Sequence, residues 1–522
     1  MKKLFILSIG FILSTQIFGQ EWAARYNGQG DSTDGATAIA LDTDGNVYVT
    51  GRSYGLGTNY DYATIKYNSS GDTMWVRRYN GPANSDDKAS AIALDKNGNI
   101  YVTGYSYGSG TDEDYVTIKY NSSGDTMWTR RYNGTGNGDD EAIAIALDGN
   151  GNIYVTGNSI DSGTGYDYAT IKYNSLGDTM WIRRYNGPGN SCDYATAIAV
   201  DGNGNAYVTG YGWCSVAYKY ATIKYDSSGD TMWARIYGLG DDNEAIAIAV
   251  DSNGNVYVTG RSCEDCATIK YNSLGDTMWT RRYNGPGNGS DWARAIVLER
   301  NGVVYVAGVS NYDYVTIKYD SSGDTMWARR YNENANDYAN AISLDTDGNV
   351  YVTGQSYGSG TAYDYATIKY NSSGDAMWAQ RYNGPGNGGD CANAIALDGN
   401  GYVYVTGLSI GSGTGYDYAT IKYSCEGIEE YSNIKTPSTT LSVSQNPVIK
   451  NTIVSYSIPI ETKVLLSIYD LSGSCVKTLV NGEKETGNYS IRLNAKELKT
   501  GVYFVRLTAG TSKTTRKITV IR

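Results

Sequence analysis

The 522-residue chain contains no histidine, which removes imidazole zinc sites, histidine-based triads and the usual neutral-pH general base. Chemistry has to rest on carboxylates, arginine, cysteine and aromatic rings. Carboxylates recur with the most regular spacing: Asp34, Asp87, Asp140, Asp193, Asp291, Asp337 and Asp390 each stand four residues before an Ala-Ile pair, and Asn243 takes that place once. If the strands that follow them are innermost in a closed array, these acids form a ring at a channel mouth. Oxygen ligands of that kind suit Ca²⁺ or a cationic ligand. Aspartate also closes turns by accepting backbone N–H bonds, and a residue repeated in nearly every unit favours a scaffold role. The Asp-x-Asp-Gly-Asn segments (Asp42 to Asn46, Asp345 to Asn349) lack the third acid and the distant bidentate Glu of a calcium loop, so they read as turns. Cys263-Glu264-Asp265-Cys266 has no second CxxC to complete four ligands. No metal site is expected, and no cofactor unless Ca²⁺. Trp213 and Trp292 break the repeat described next and are candidates for stacking on a ligand; loop tyrosines such as Tyr54, Tyr60, Tyr107, Tyr166, Tyr357 and Tyr416 recur closely enough to be scaffold.

These residues are positioned by a repeat. Tryptophan recurs at 22, 75, 128, 181, 233, 279, 327 and 378, so eight units fill the chain from residue 21 to 423. Each unit carries four strand signals, here A to D; in the second they are ASAIALD (89 to 95), NIYVTGYS (99 to 106), DYVTIKYN (114 to 121) and DTMWTRRYNG (125 to 134). Turns such as Asp95-Lys96-Asn97-Gly98-Asn99 and Asn121-Ser122-Ser123-Gly124-Asp125 supply the positive backbone angles of tight hairpins, giving a four-stranded antiparallel meander. One such sheet cannot bury both its faces, so units must stack into a solenoid or a ring. The array opens with a lone D strand, Glu21 to Asn27, and closes with A, B and C but no D. A unit split between the two ends is what ring closure requires. The expected fold is all-β: an eight-bladed β-propeller of four-stranded blades, closed by the N-terminal strand, with Trp22, Trp75, Trp128, Trp181, Trp233, Trp279, Trp327 and Trp378 as packing anchors between blades.

The segments IALDTDGNVYVTG and IKYNSSGDTMW make the chain similar to the SBBP class of bacterial β-propeller repeats. That resemblance implies a propeller and export but brings no established activity. NSSGDTMW is also similar to the tryptophan docking motif of eight-bladed quinoprotein dehydrogenases, which carry an adjacent-cysteine disulfide, and no Cys-Cys pair occurs here. Sialidases place Ser-x-Asp-x-Gly-x-x-Trp in the same hairpin, whereas here Gly71 precedes Asp72.

Residues 1–20 read as a secretory signal peptide, basic at Lys2 and Lys3 and apolar from Leu4 to Leu13, too short to span a bilayer. No other segment is expected to span one. Residues 424–443 read as a polar linker, and 444–522 as a small Ig-like β-sandwich. Within the latter, SIYDLSG (467 to 473), GNYSIRL (487 to 493), LKTGVYFVRL (498 to 507) and the basic KTTRKITVIR (513 to 522) resemble the type A C-terminal sorting domain of the type IX secretion system. The resemblance implies recognition by that machinery and a secreted or cell-surface destination. The net charge is −11, of which residues 21 to 425 carry −18, a body that repels nucleic acid. A monomer is expected that binds a glycan or protein through the variable B-to-C and D-to-A loops and is not an enzyme; the alternative is a carboxylate-based, glycosidase-like hydrolase on the same propeller.

Overall fold

The computed structural model describes residues 19–332, 335–424, 440–444, 447–448, 450–458, 462–471, 473–485, 487–510 and 512–521. The leader up to residue 18 and most of the expected linker lie outside them. Two compact units divide the chain, Met1–Ser432 and Asn433–Arg522.

In the first unit the turn chemistry pairs each strand with the next. Asp42 Oδ1 accepts the backbone N–H of Asp44 at 3.0 Å and of Asn46 at 2.9 Å, while Oδ2 accepts Tyr48 Oη at 2.9 Å. This locks the hairpin between Asp34–Leu41 and Val47–Gly55. Asn59–Tyr67 and Thr73–Tyr79 complete a four-stranded antiparallel sheet in the order A-B-C-D. Seven sheets have this consecutive order, and the eighth joins Gln20–Tyr26 to Tyr416–Tyr423, with Val403–Ile410 and Asp390–Leu397 beyond. In that last sheet Trp22 stands opposite Lys422 and Ala24 opposite Thr420.

The B and C strands read as nearly continuous buried runs because each sheet is covered on both faces. Each A strand touches the A strands of both neighbouring sheets, and the succession returns from Asp390–Leu397 to Asp34–Leu41. The A strands are therefore innermost. All eight bulge at one position, between Ala36 and Ala38 in the first and between Ala392 and Ala394 in the last. Across the outer part of the array, Trp75 Nε1 donates to Ser122 O of the next sheet at 3.3 Å, and Trp22 Nε1 donates to Ser69 O at 3.1 Å. The contact between last and first sheets thus repeats the interior one. Gly71 sits in that contact: at φ +87° a Cβ would come within 2.7 Å of the Trp22 ring.

In the second unit, Thr440–Val443, Asn451–Ile458 and Gly487–Asn494 form one sheet, and Cys475–Lys484, Thr462–Tyr469, Gly501–Ala509 and Ser512–Val520 another. Val454, Leu466, Ile468, Val505, Leu507 and Ile518 share one core. The first strand lies inside the stretch expected as linker; pairing of Thr440 to Val443 with Ser457 to Val454 draws it into the sheet. Among the described residues there is no α-helix, and no helix long and apolar enough to cross a membrane.

Candidate ligand-binding face

The seven expected acids open their A strands and are fully buried. Asp34 Oδ2 accepts Gly28 N–H at 2.5 Å and Oδ1 accepts Tyr54 N–H at 2.8 Å. Asp87, Asp140, Asp193, Asp291 and Asp390 accept the matching glycine N–H at Gly81, Gly134, Gly187, Gly285 and Gly384, and Asp337 is buried in the same register opposite Ser356. Beside six of the seven acids stands a B-strand serine, and opposite Asp193 stands Gly212. At Ser53, Arg78 from strand D donates to Ser53 Oγ at 2.5 Å and to its carbonyl at 2.9 Å, then reaches Asp61 Oδ2 at 2.7 Å and Tyr26 Oη at 3.1 Å. This network staples the D-to-A loop to strands A, B and C. Burial pushes the carboxyls of Asp87 and Asp193 up to about 6, against the hydrogen bonds that pull them down. Asn243 fills the eighth place with neutral chemistry, accepting Leu239 N–H at 3.2 Å and Ser262 Oγ at 2.6 Å and donating to Tyr218 O at 3.0 Å. The acids therefore hold loops and present no exposed oxygen to a ligand. Among the described residues no group of three Cys, Asp or Glu is placed to hold a metal ion, and Cys263 and Cys266 are free thiols.

One residue further along each A strand, the repeat stops repeating: Gly35, Lys88, Glu141, Tyr194, Glu244, Trp292, Tyr338 and Cys391 occupy equivalent places. Each gathers different neighbours. Glu141 lies against Glu113 of the preceding sheet, whose carboxyl is pushed up to about 8 by burial, by the hydrogen bond with Glu141 and by the charges of Glu141 and Asp139, with Lys88 opposing. Tyr194 centres an aromatic cluster, 5.4 Å from Tyr166, 5.2 Å from Tyr211 and 6.4 Å from Tyr218, and Trp213 meets Tyr218 edge-on at 5.1 Å. Trp292 is 38% exposed, with the guanidiniums of Arg261 and Arg294 at 5.2 and 6.0 Å from its ring centre. Arg261 is paired with Asp242 at 2.9 Å. Tyr54 and Tyr60 meet edge-on at 5.4 Å, as Tyr357 and Tyr363 do at 5.5 Å, a contact repeated between sheets.

Of the expected residues, Trp213 and Trp292 lie among these varied side chains and the seven aspartates lie beneath them. Lys88, Glu113, Glu141, Tyr194, Arg261 and Arg294 were not anticipated. Their signal is a difference between units at one register, visible only once the A strands are aligned. A cavity of about 970 Å³ opens elsewhere, between the second and third sheets at the A-to-B turns, lined by Asp95, Trp128, Arg130 and Asp148. Its walls are residues that recur from sheet to sheet, whereas the varied side chains cluster on the opposite, loop end.

Six segments match the model of the β-propeller repeat (SBBP): 21–58, 75–110, 128–163, 181–213, 233–264 and 327–360. Residues 445–521 match the secretion system C-terminal sorting domain. A regulatory protein, FlaEY, of Caulobacter vibrioides is 28% identical over 210 residues, which are 37% of this chain and 19% of that protein. The chain therefore spans about a fifth of its relative. Among solved structures, Chaetomium thermophilum Sqt1 bound to the N-terminus of the ribosomal protein L10 overlays with a TM-score of 0.51 at 10% identity, over 78% of this chain and 100% of that one. That is a likeness of fold.

Proposed function

From a chain built of SBBP β-propeller repeats and ended by a type IX sorting domain, which marks it for the cell surface or secretion, we infer an eight-bladed propeller, closed by its first strand, that binds a glycan or protein ligand on its loop face. Closure is supported by the pairing of Gln20–Tyr26 with Tyr416–Tyr423 and by the Trp22 to Ser69 bond. The binding reading rests on one observation: beside a constant set of buried staples, the second residue of each A strand changes chemistry from blade to blade, and five aromatic rings gather at Tyr166, Tyr194, Tyr211, Trp213 and Tyr218. Flat amphipathic rings of this kind bury large area at low entropic cost against sugars or peptides.

The rest of the layout belongs to the same proposal: a signal peptide over residues 1–20, a short linker, an Ig-like sorting module recognised by the secretion machinery, and a monomer. Profiling the purified chain on a glycan array, with Tyr194→Ala and Trp213→Ala beside it, tests the face. Saturable binding lost in both variants supports it; binding unchanged in both removes it. The adjacent carboxyls Glu113 and Glu141, the first pushed up to about 8 by burial and by its neighbour, favour a second reading, a carboxylate-based hydrolase. A glycosidase screen in which Glu141→Gln abolishes turnover is its test.

A further inference from the structure

The bulge residue of each A strand faces its counterparts in the neighbouring sheets: Thr37, Ser90, Ile143, Thr196, Ile246, Arg294, Asn340 and Asn393. Seven of the eight are uncharged. Four of them tie one sheet to the next: Thr37 Oγ1 donates to Ala89 O at 2.8 Å, Thr196 Oγ1 to Ala245 O at 2.9 Å, Asn340 Nδ2 to Ala392 O at 2.8 Å, and Asn393 Nδ2 to Ala36 O at 2.8 Å. A short neutral side chain is sufficient for that task. Arg294 makes a tie as well, donating from Nη1 to Asn340 Oδ1 of the next sheet at 2.5 Å, but it brings a charge that the task does not need. Its remaining guanidinium donors have no carboxylate partner among the described residues, although the D-strand arginines Arg25, Arg78, Arg131 and Arg381 are all matched to an aspartate. An unmatched, half-buried guanidinium is costly to keep unless something anionic meets it. The surroundings are aromatic. Trp292 stands beside Arg294, and the next sheet adds Tyr338, 6.1 Å from Tyr363, which in turn meets Tyr357.

We propose that Arg294 is the anion-receiving residue of a saccharide subsite on the loop face, with Trp292 and Tyr338 as its ring platforms, and that the ligand is an acidic saccharide bearing a carboxylate or a sulfate. The proposal deepens the binding reading above and depends on it. The Trp292 ring beside the cation, 38% exposed, favours a pyranose unit over an acidic peptide. The subsite takes the charged group, and the platforms take the ring that carries it.

Calorimetry of the full chain with tetragalacturonate, its methyl ester, a sulfated carrageenan tetrasaccharide and hexaglutamate tests this. The acid or the sulfate is expected to bind at least roughly tenfold more tightly than the neutral ester. Arg294→Gln should erase that difference while retaining the wild-type melting temperature, and Arg294→Lys should restore part of it. The free acid against the sulfate identifies the anion. The inference is overturned if Arg294→Gln binds the charged saccharide as tightly as wild type, if neither charged saccharide exceeds the ester, or if hexaglutamate alone binds. Binding of a neutral glycan lost in Tyr194→Ala would then leave the loop-face reading standing, and its absence would remove both.

Discussion

Replacing Asp87 by asparagine separates a structural acid from a ligand-binding one. Burial pushes this carboxyl up to about 6 from 3.8. A gap of about two pH units, at 1.36 kcal/mol each, means that folding disfavours the ionised form by about 3 kcal/mol relative to the protonated one. The sign follows from the direction: a raised folded value gives a contribution that is complete below 3.8 and lost as pH rises through 6. Asparagine removes this titration, keeps an acceptor for Gly81 N–H, now at 2.6 Å, and has a natural precedent at Asn243. The weaker neutral bond returns about 1–2 kcal/mol of the gain. Asp87→Asn should therefore be within about 2 kcal/mol of wild type at pH 7, whereas Asp87→Ala, which strands Gly81 N–H, should lose about 2–4 kcal/mol. In urea unfolding followed by tryptophan fluorescence, wild-type stability should fall about 2 kcal/mol further than that of Asp87→Asn between pH 4 and pH 7. Equal slopes, or an asparagine variant as damaged as the alanine one, would refute the reasoning. A Ca²⁺-dependent gain in stability that vanishes in Asp87→Asn would return the acid to a ligand role.

Three further outcomes follow from the same geometry. If the first strand closes the ring, Trp22→Ala should cost about 3 kcal/mol in urea unfolding, within about 1 kcal/mol of Trp75→Ala, because both indoles make the same two-sheet contact; a far smaller cost at Trp22 points to an open array. Glu141→Gln takes away the charge that helps hold Glu113 up to about 8 and offers an amide donor to its ionised form, so carboxyl-labelled NMR should show Glu113 titrating lower in the variant, and an unmoved titration would leave burial and Asp139 as its causes. Deleting residues 444–522 should retain the chain in the periplasm, read by cell fractionation and protease shaving; surface display of the truncation would sink the sorting role.

Much of the architecture was legible because its signals are local. Asp42 to Asn46 and Asn68 to Asp72 encode hairpins within five residues, and the tryptophan period counts the sheets without knowledge of their packing. The split unit was legible too, since a D strand at one end and an A-B-C set at the other can pair only across the whole array. The position of Gly before Asp in NSSGDTMW looked like a departure from a known hairpin. Gly71 takes the φ of +87° that the turn needs and also lies under the Trp22 ring, a contact with another sheet that no window of sequence contains. The strand before the sorting match was hidden for a related reason: Thr440 to Val443 is polar enough to read as linker and becomes a strand through its partner, Asn451–Ile458.

The functional residues were harder to read for a reason the repeat itself supplies. Asp34 left two roles open in the sequence, a ring at a channel mouth or the closing of a turn; what buries it is Gly28 on one side and Ser53 with Arg78 on the other, drawn from three parts of the unit. Repetition marked the staples, and it was natural to search among the most regular residues for a ring that binds. The physical demand on a ligand face runs the other way. Eight identical blades offer eight identical contacts, whereas a ligand smaller than the ring needs one place unlike the rest. Arg294 among neutral bulge residues, Glu141 against Glu113, and the rings around Tyr194 are such places, each costing the scaffold something that a regular blade avoids: a charge without a carboxylate partner, two adjacent carboxyls, a cluster of rings. Where the constant positions tie the sheets together, those local costs are what the proposed contact with a ligand would offset.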